Sequence, residues 1–93
     1  MLSSIPVDLS KVKKEEINKE ILRMAIIAEL DAISLYEQMA AATDDKNIKV
    51  ILLEVAKEEK THVGEFQALL LKYDKQQVEE LEKGKGEVEE LTG

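Results

Sequence analysis

Two polar residues three positions apart, Glu59 and His62, interrupt an apolar stripe in the second half of this chain. The stripe runs Ile48, Leu52, Val55, Glu59, His62, Phe66, Leu69, Tyr73, with alternating steps of four and three. That is the spacing of one helix face. The first half carries a matching stripe, Leu22, Ala25, Glu29, Ala32, Tyr36, Met39, again with one carboxylate near its middle. Such positions face a partner helix. A carboxylate buried there alone is strongly destabilising, or takes up a proton to avoid the charge. Two arrangements satisfy all three groups. One is a buried Glu–His hydrogen bond that fixes helix register. The other is a metal ion, because the i,i+3 spacing stacks a carboxylate and an imidazole on one face. Hard carboxylate oxygens plus imidazole suit iron or manganese, with zinc a further candidate.

Glu-x-x-His on one helix, with a Glu projected from its neighbour, is the ligand pattern of carboxylate-bridged di-iron helical bundles. A complete site of that kind takes two such motifs and two further Glu residues spread over four helices. This chain has one motif, one additional seam Glu and a single His. It holds half a site. Two copies supply four carboxylates and two imidazoles, and the four negative charges balance two ferrous ions. The ligand arithmetic therefore calls for a homodimer with two iron ions at its interface. Association is expected on apolar grounds as well. The runs Met24-Ala25-Ile26-Ile27-Ala28 and Val50-Ile51-Leu52-Leu53 are apolar on more than one face, and a two-helix hairpin has no interior to bury them all. A metal-free four-helix dimer accounts for these faces equally well, but leaves Glu29, Glu59 and His62 as unexplained penalties.

The elements that position these residues are helices. Ninety-three residues allow one small domain, and only Phe66, Tyr36 and Tyr73 are aromatic. The apolar content is otherwise Ile, Leu, Val, Ala and Met among abundant Glu and Lys, a helical composition. From Lys14 to Tyr73 only the cluster Thr43-Asp44-Asp45-Lys46-Asn47 breaks the pattern, and Thr43 and Asp44 are good N-cap types. The expectation is one helix over about 13–42 and a second over about 45–74, each ~45 Å long and paired as an antiparallel hairpin. Residues 1–12 read as an extended arm. Residues 75–93 read as a short third helix up to Gly84 followed by a flexible acidic tail or linker. The expected fold class is all-α: an antiparallel two-helix hairpin plus a short C-terminal helix, dimerising into a four-helix bundle.

Charge and composition exclude other classes. With 13 basic against 20 acidic residues the net charge is -7, which opposes binding to nucleic acid. No apolar run approaches the ~20 residues needed to cross a bilayer. The first ten residues lack the basic and apolar regions of a secretory signal, so a cytoplasmic protein is expected. Cysteine is absent, which removes disulfides, Cys-ligated zinc, iron–sulfur clusters and a rubredoxin-type iron centre.

Taken together the chain resembles the encapsulated ferritins, half-size ferritin-like proteins held inside encapsulin nanocompartments. The resemblance covers about residues 5–85. It rests on the segment Ile27-Ala28-Glu29-Leu30-Asp31-Ala32-Ile33-Ser34-Leu35-Tyr36-Glu37, a short turn, and Glu58-Glu59-Lys60-Thr61-His62-Val63-Gly64-Glu65-Phe66. The thirty-residue interval from Glu29 to Glu59 matches the family's metal ligands. Related short motifs occur in rubrerythrins, from which the half-length architecture separates this chain. The resemblance implies a ferroxidase that oxidises Fe²⁺ with oxygen, assembled as a ring of five dimers within an encapsulin shell. It implies that Glu59 from both chains bridges the irons while Glu29 and His62 complete each coordination sphere. Tyr36, seven residues after Glu29, resembles the family's supporting tyrosine, and filling the seam is its equally natural role. Asp31 matches one acid of the family's iron-access site, where the other acid is replaced by Ala28. Glu58 and Glu65 point off the seam and are expected in solvent.

Proteins of this class reach their shell by a C-terminal targeting peptide or by fusion to the shell protein. The end, Gly84-Lys85-Gly86-Glu87 to Leu91-Thr92-Gly93, has a linker's composition and no convincing apolar targeting motif, so either a domain from a longer fusion or a truncated chain is expected. Two other functions fit the same residues: a rubrerythrin-like peroxide reductase with a separate electron donor, and a metal-free helical adaptor dimer.

Overall fold

The computed structural model describes residues 8–93, so most of the expected N-terminal arm, residues 1–7, lies outside the described residues. Within them the protein is helical throughout, with no strand. Two single turns of 3-10 helix, Leu9–Lys11 and Lys14–Glu16, lead into α1 (Ile17–Ala42), α2 (Lys46–Tyr73) and α3 (Lys75–Thr92). None of these helices is long and apolar enough to cross a membrane.

The first helix starts four residues later than the expected position 13. Lys13 offers no side-chain cap and Glu16 makes none either. Without a partner for the first N–H groups, the Lys14–Glu16 segment tightens into a 3-10 turn before the α ladder begins. Residues 8–12, expected to be extended, include the Leu9–Lys11 turn, which Asp8 caps through the Ser10 N–H at 3.0 Å.

The connection between α1 and α2 is only residues 43–45, which makes the pair an antiparallel hairpin. Asp45, rather than Thr43 or Asp44, is the cap. Its Oδ1 accepts from the N–H of Asn47 at 2.9 Å and of Ile48 at 3.0 Å. Thr43 acts one step earlier, its Oγ1 accepting from the Asp45 N–H at 3.1 Å.

Among the described residues four form the buried core: Leu22 and Leu70 toward the open end of the hairpin, Ala40 and Ala56 toward the turn. The alanines let the helices approach closely near the connection. Between these two apolar closures lies the middle of the hairpin, with Glu29 and Glu59. Lys60 and Glu37 tie the two helices at 2.8 Å on the exposed side. The face of α2 that packs on α1 is rotated slightly from the stripe read in the sequence. Ala56 and Leu70 are buried, one position along from Val55 and Leu69, while Ile48, Leu69 and Tyr73 of the stripe, and Met39 of the α1 stripe, are exposed. The cause is that α2 carries apolar residues on both flanks of its carboxylate, and α1 covers only one flank.

The third helix corrects the expectation of a short helix and tail. It runs through Gly84 and Gly86 to Thr92, and the final residue, Gly93, has a φ of 85°. A continuous helix over 46–92 would be ~70 Å long, whereas the largest extent of the molecule is 47 Å. The third helix therefore leaves the α2 axis sharply, at Asp74.

Candidate metal centre

Glu29 is supplied by the middle of α1, and Glu59 and His62 by the middle of α2. The antiparallel pairing brings the two carboxylates together, and the one-turn offset of His62 places its ring at the flank. The Nδ1 of His62 lies 3.4 Å from Glu29 Oε2 and 3.4 Å from Glu59 Oε2. One donor atom from each of the three residues lies within 4.8 Å of the others. Among the described residues no other group of three or more acidic, His or Cys side chains converges in this way.

The separations of 3.4 Å exceed the length of a good N–H···O bond. They are short enough for both atoms to reach one ion. Glu29 Oε2 is the one buried side-chain oxygen or nitrogen among the described residues that has no hydrogen-bond partner. A buried oxygen left in this state is unfavourable until a proton or a cation satisfies it. The donor set, two hard oxygens and one imidazole nitrogen, fits iron or manganese by its chemistry. The residues present therefore fit a metal ion, and three ligands leave such an ion unsaturated.

The centre is open on one side. Side-chain exposure is 18% for Glu29 and for Glu59, and 42% for His62. Ile51, Leu69 and Tyr73 lie eleven residues before, seven after and eleven after His62, so they share its face of α2. All three are exposed. The open side of the centre is thus continuous with an exposed apolar row.

The remaining site candidates fall outside the cluster. Tyr36 is half-buried, two turns along α1 from Glu29. Asp31 lies on another side of α1, in a shallow concavity with Ile27, Leu30 and Ser34. Glu58 and Glu65 are exposed. An ionic group at the open end of the hairpin was not among the expectations. There Arg23 donates to Glu20 Oε1 at 2.9 Å and to Asp74 Oδ2 at 2.9 Å. Spacing could have indicated only the Glu20–Arg23 half, because the other joins residues 51 apart. The N–H of Gln77, and then Arg23, hold the Asp74 carboxyl below its ordinary pKa. A hydrogen bond with Glu16 holds Lys19 above its own.

Comparison with known proteins agrees with this architecture. Residues 20–92 match the family model described as Rubrerythrin. The chain is 60% identical over 96 aligned positions to the ferritin-like-encapsulin shell fusion protein of Pyrococcus furiosus, covering 100% of this chain and 28% of that protein. It is 43% identical over 56 positions to the encapsulin nanocompartment cargo protein EncC of Myxococcus xanthus, covering 60% of this chain and 43% of that one. The chain thus spans well under half the length of both curated relatives. Among solved structures, the crystal structure of the encapsulated ferritin domain from Pyrococcus furiosus superposes with a TM-score of 0.86 at 58% identity, covering 100% of this chain and 97% of that domain.

Proposed function

This chain belongs to the encapsulated ferritin family, with a rubrerythrin-type ferritin-like fold, and from that premise we propose that it is a ferroxidase. It oxidises Fe²⁺ to Fe³⁺ with O₂ at a di-iron site shared between two copies of the chain. The observation that supports this most directly is the half-built centre. Glu29, Glu59 and His62 converge within 4.8 Å and Glu29 Oε2 is buried without a partner. The open flank of the centre carries apolar residues that a second copy would cover.

In the homodimer each chain supplies the same three ligands, giving two iron ions per dimer held by four carboxylates and two imidazoles. Bound iron supplies the one-electron couple from which O₂ draws its electrons. The protein's own contribution is to hold and orient. Glu59 of each copy would serve both ions, and Glu29 and His62 of each chain would each hold one. The carboxylates favour the trivalent ion over the divalent one through their summed negative charge. An open ligand position must remain for O₂. Tyr36 supports the ligand seam from α1, and Asp31 offers a first contact for iron on the outer surface. A dimer of such hairpins encloses no storage cavity, so oxidised iron has to leave for a container. Both curated relatives are named for encapsulin shells. On that analogy the chain assembles as a ring of five dimers inside an encapsulin nanocompartment in the cytoplasm, joined to the shell by fusion or by a targeting peptide.

The Rubrerythrin match favours one second reading, a peroxide reductase. Lacking cysteine, it would need a separate electron donor. One experiment separates these from a metal-free adaptor. Purified protein is loaded anaerobically with Fe²⁺ and then exposed either to O₂ or to peroxide. Two irons per dimer and rapid Fe³⁺ absorbance with O₂ support the ferroxidase. Reaction with peroxide alone supports the reductase, and absence of bound iron supports the adaptor.

A further inference from the structure

Asp74 is the single residue between α2 and α3, and it serves both helices. Its N–H donates to the Leu70 carbonyl at 3.0 Å, closing α2, and its Oδ1 accepts from the Gln77 N–H at 3.0 Å, opening α3. Its Oδ2 takes the bond from Arg23 of α1. The backbone chemistry around it does not require a break. From Leu70 to Lys83 there is no Pro and no Gly, and Val78 is the only β-branched residue. The conformation of Asp74, φ -133° and ψ 87°, has negative φ and carries no left-handed strain. Bending here takes the N–H groups of residues 75–77 out of the helical ladder, and Asp74 replaces the partner of Gln77 alone.

We propose that Asp74 is a two-position joint: its cap to Gln77 and its pair with Arg23 hold α3 off the α2 axis, and without them residues 46–92 run as one continuous helix. Apolar packing adds little to the bent state: Leu81 of α3 is 42% exposed at the rim of an open groove of ~400 Å³ that Ile26, Ile27 and Leu70 also line. The straight state regains the ladder bonds at 75–77 and gives up the Gln77 cap and the Arg23 pair. Each state therefore has its own set of polar bonds, and the side chain of Asp74 tips the balance. Because Arg23 stands on α1, the joint couples the hairpin to the direction of α3.

The absence of native cysteine permits a clean test. Spin labels at Lys57→Cys and Glu89→Cys, both exposed positions, report the α2–α3 relation within one chain when labelled protein is diluted into unlabelled protein. A continuous helix places the two positions ~48 Å apart, and any bend shortens this. The parent should show a single, shorter distance. Asp74→Leu, which removes cap and bridge and is a strong helix former, should move the main population to about 48 Å. Arg23→Gln should populate both distances. Asp74→Asn, which keeps a good N-cap, should retain a short majority. An unchanged short distance in Asp74→Leu would overturn the proposal, because the bend would then not depend on the side chain of Asp74. Loss of the helical circular-dichroism signal of residues 75–92 in that variant would overturn it as well, because the straight state must be helical.

Discussion

Glu29 bears opposite consequences for stability and for binding. Its Oε2 is buried without a hydrogen-bond partner, and an unsatisfied buried acceptor costs about 1–3 kcal/mol. In metal-free protein, Glu29→Leu should therefore raise the thermal midpoint, while iron binding falls at least tenfold. A lower midpoint in the chelated variant would show that the carboxylate is stabilised by something other than metal. The three converging residues should also separate from their acidic neighbours. Alanine at Glu29, Glu59 or His62 should reduce iron stoichiometry and ferroxidase rate. Alanine at Glu58 or Glu65, which face solvent, should do far less. Glu59→Ala should be the most damaging, since on the proposed bridging role it removes a ligand from both ions. Equal losses at all five positions in an anaerobic Fe²⁺ titration would remove the distinction. All three members of the cluster were legible in the sequence, because polar residues at seam positions are few and costly. The reach of Arg23 to Asp74 was not, since it depends on where α3 turns back.

The helices themselves follow from capping and propensity, and the departures from expectation are local. The hairpin turn was legible because Thr43-Asp44-Asp45 contains three capping types, but which of them caps depends on the chain direction after Ala42. The α3 expectation gave too much weight to Gly84 and Gly86. A helical Gly is ~1 kcal/mol less favourable than Ala, too little to stop a helix flanked by good formers and supported by pairs such as Lys83 with Glu80 at 3.6 Å. The Asp74 joint also has a pH signature. Its folded carboxyl is held below the ordinary value of 3.8, first by the Gln77 N–H and then by Arg23. The folded state thus binds fewer protons, and the stabilisation is present above that value and lost as pH falls through the lower folded pKa. Thermal midpoints between about pH 2.5 and 6 should fall less steeply in Asp74→Asn than in the parent. Parallel curves would contradict this assignment.

For the whole molecule, the balance of covered and uncovered apolar surface is decisive. Leu22, Ala40, Ala56 and Leu70 are the only hydrophobic residues buried among those described, while Ile51, Leu69, Tyr73 and several others remain open. A lone chain gains little from such a core. The proposal of a half-site comes from ligand counting, one motif and one His where a di-iron bundle takes two. The surface that a second copy would cover was only partly legible, because the stripe in α2 has two apolar flanks and sequence does not say which one α1 takes. On the proposed function the complete site needs two chains, and iron binding would then add to association. Iron at ~100 times its dissociation constant would contribute about 2.7 kcal/mol to the assembled state.

Sedimentation velocity of chelated and Fe²⁺-loaded protein under anaerobic conditions, at matched salt and low micromolar concentration, tests the shared site most directly when iron is quantified in each resolved species. The predicted result is a chelated sample shifted toward monomer or dimer and a loaded sample shifted to larger, uniform species. Iron should be present at one per chain and absent from monomer, and His62→Ala should blunt the shift without loss of helicity. Monomer carrying iron as tightly as the assembled species, with identical size distributions in both samples, would contradict a site built by two chains.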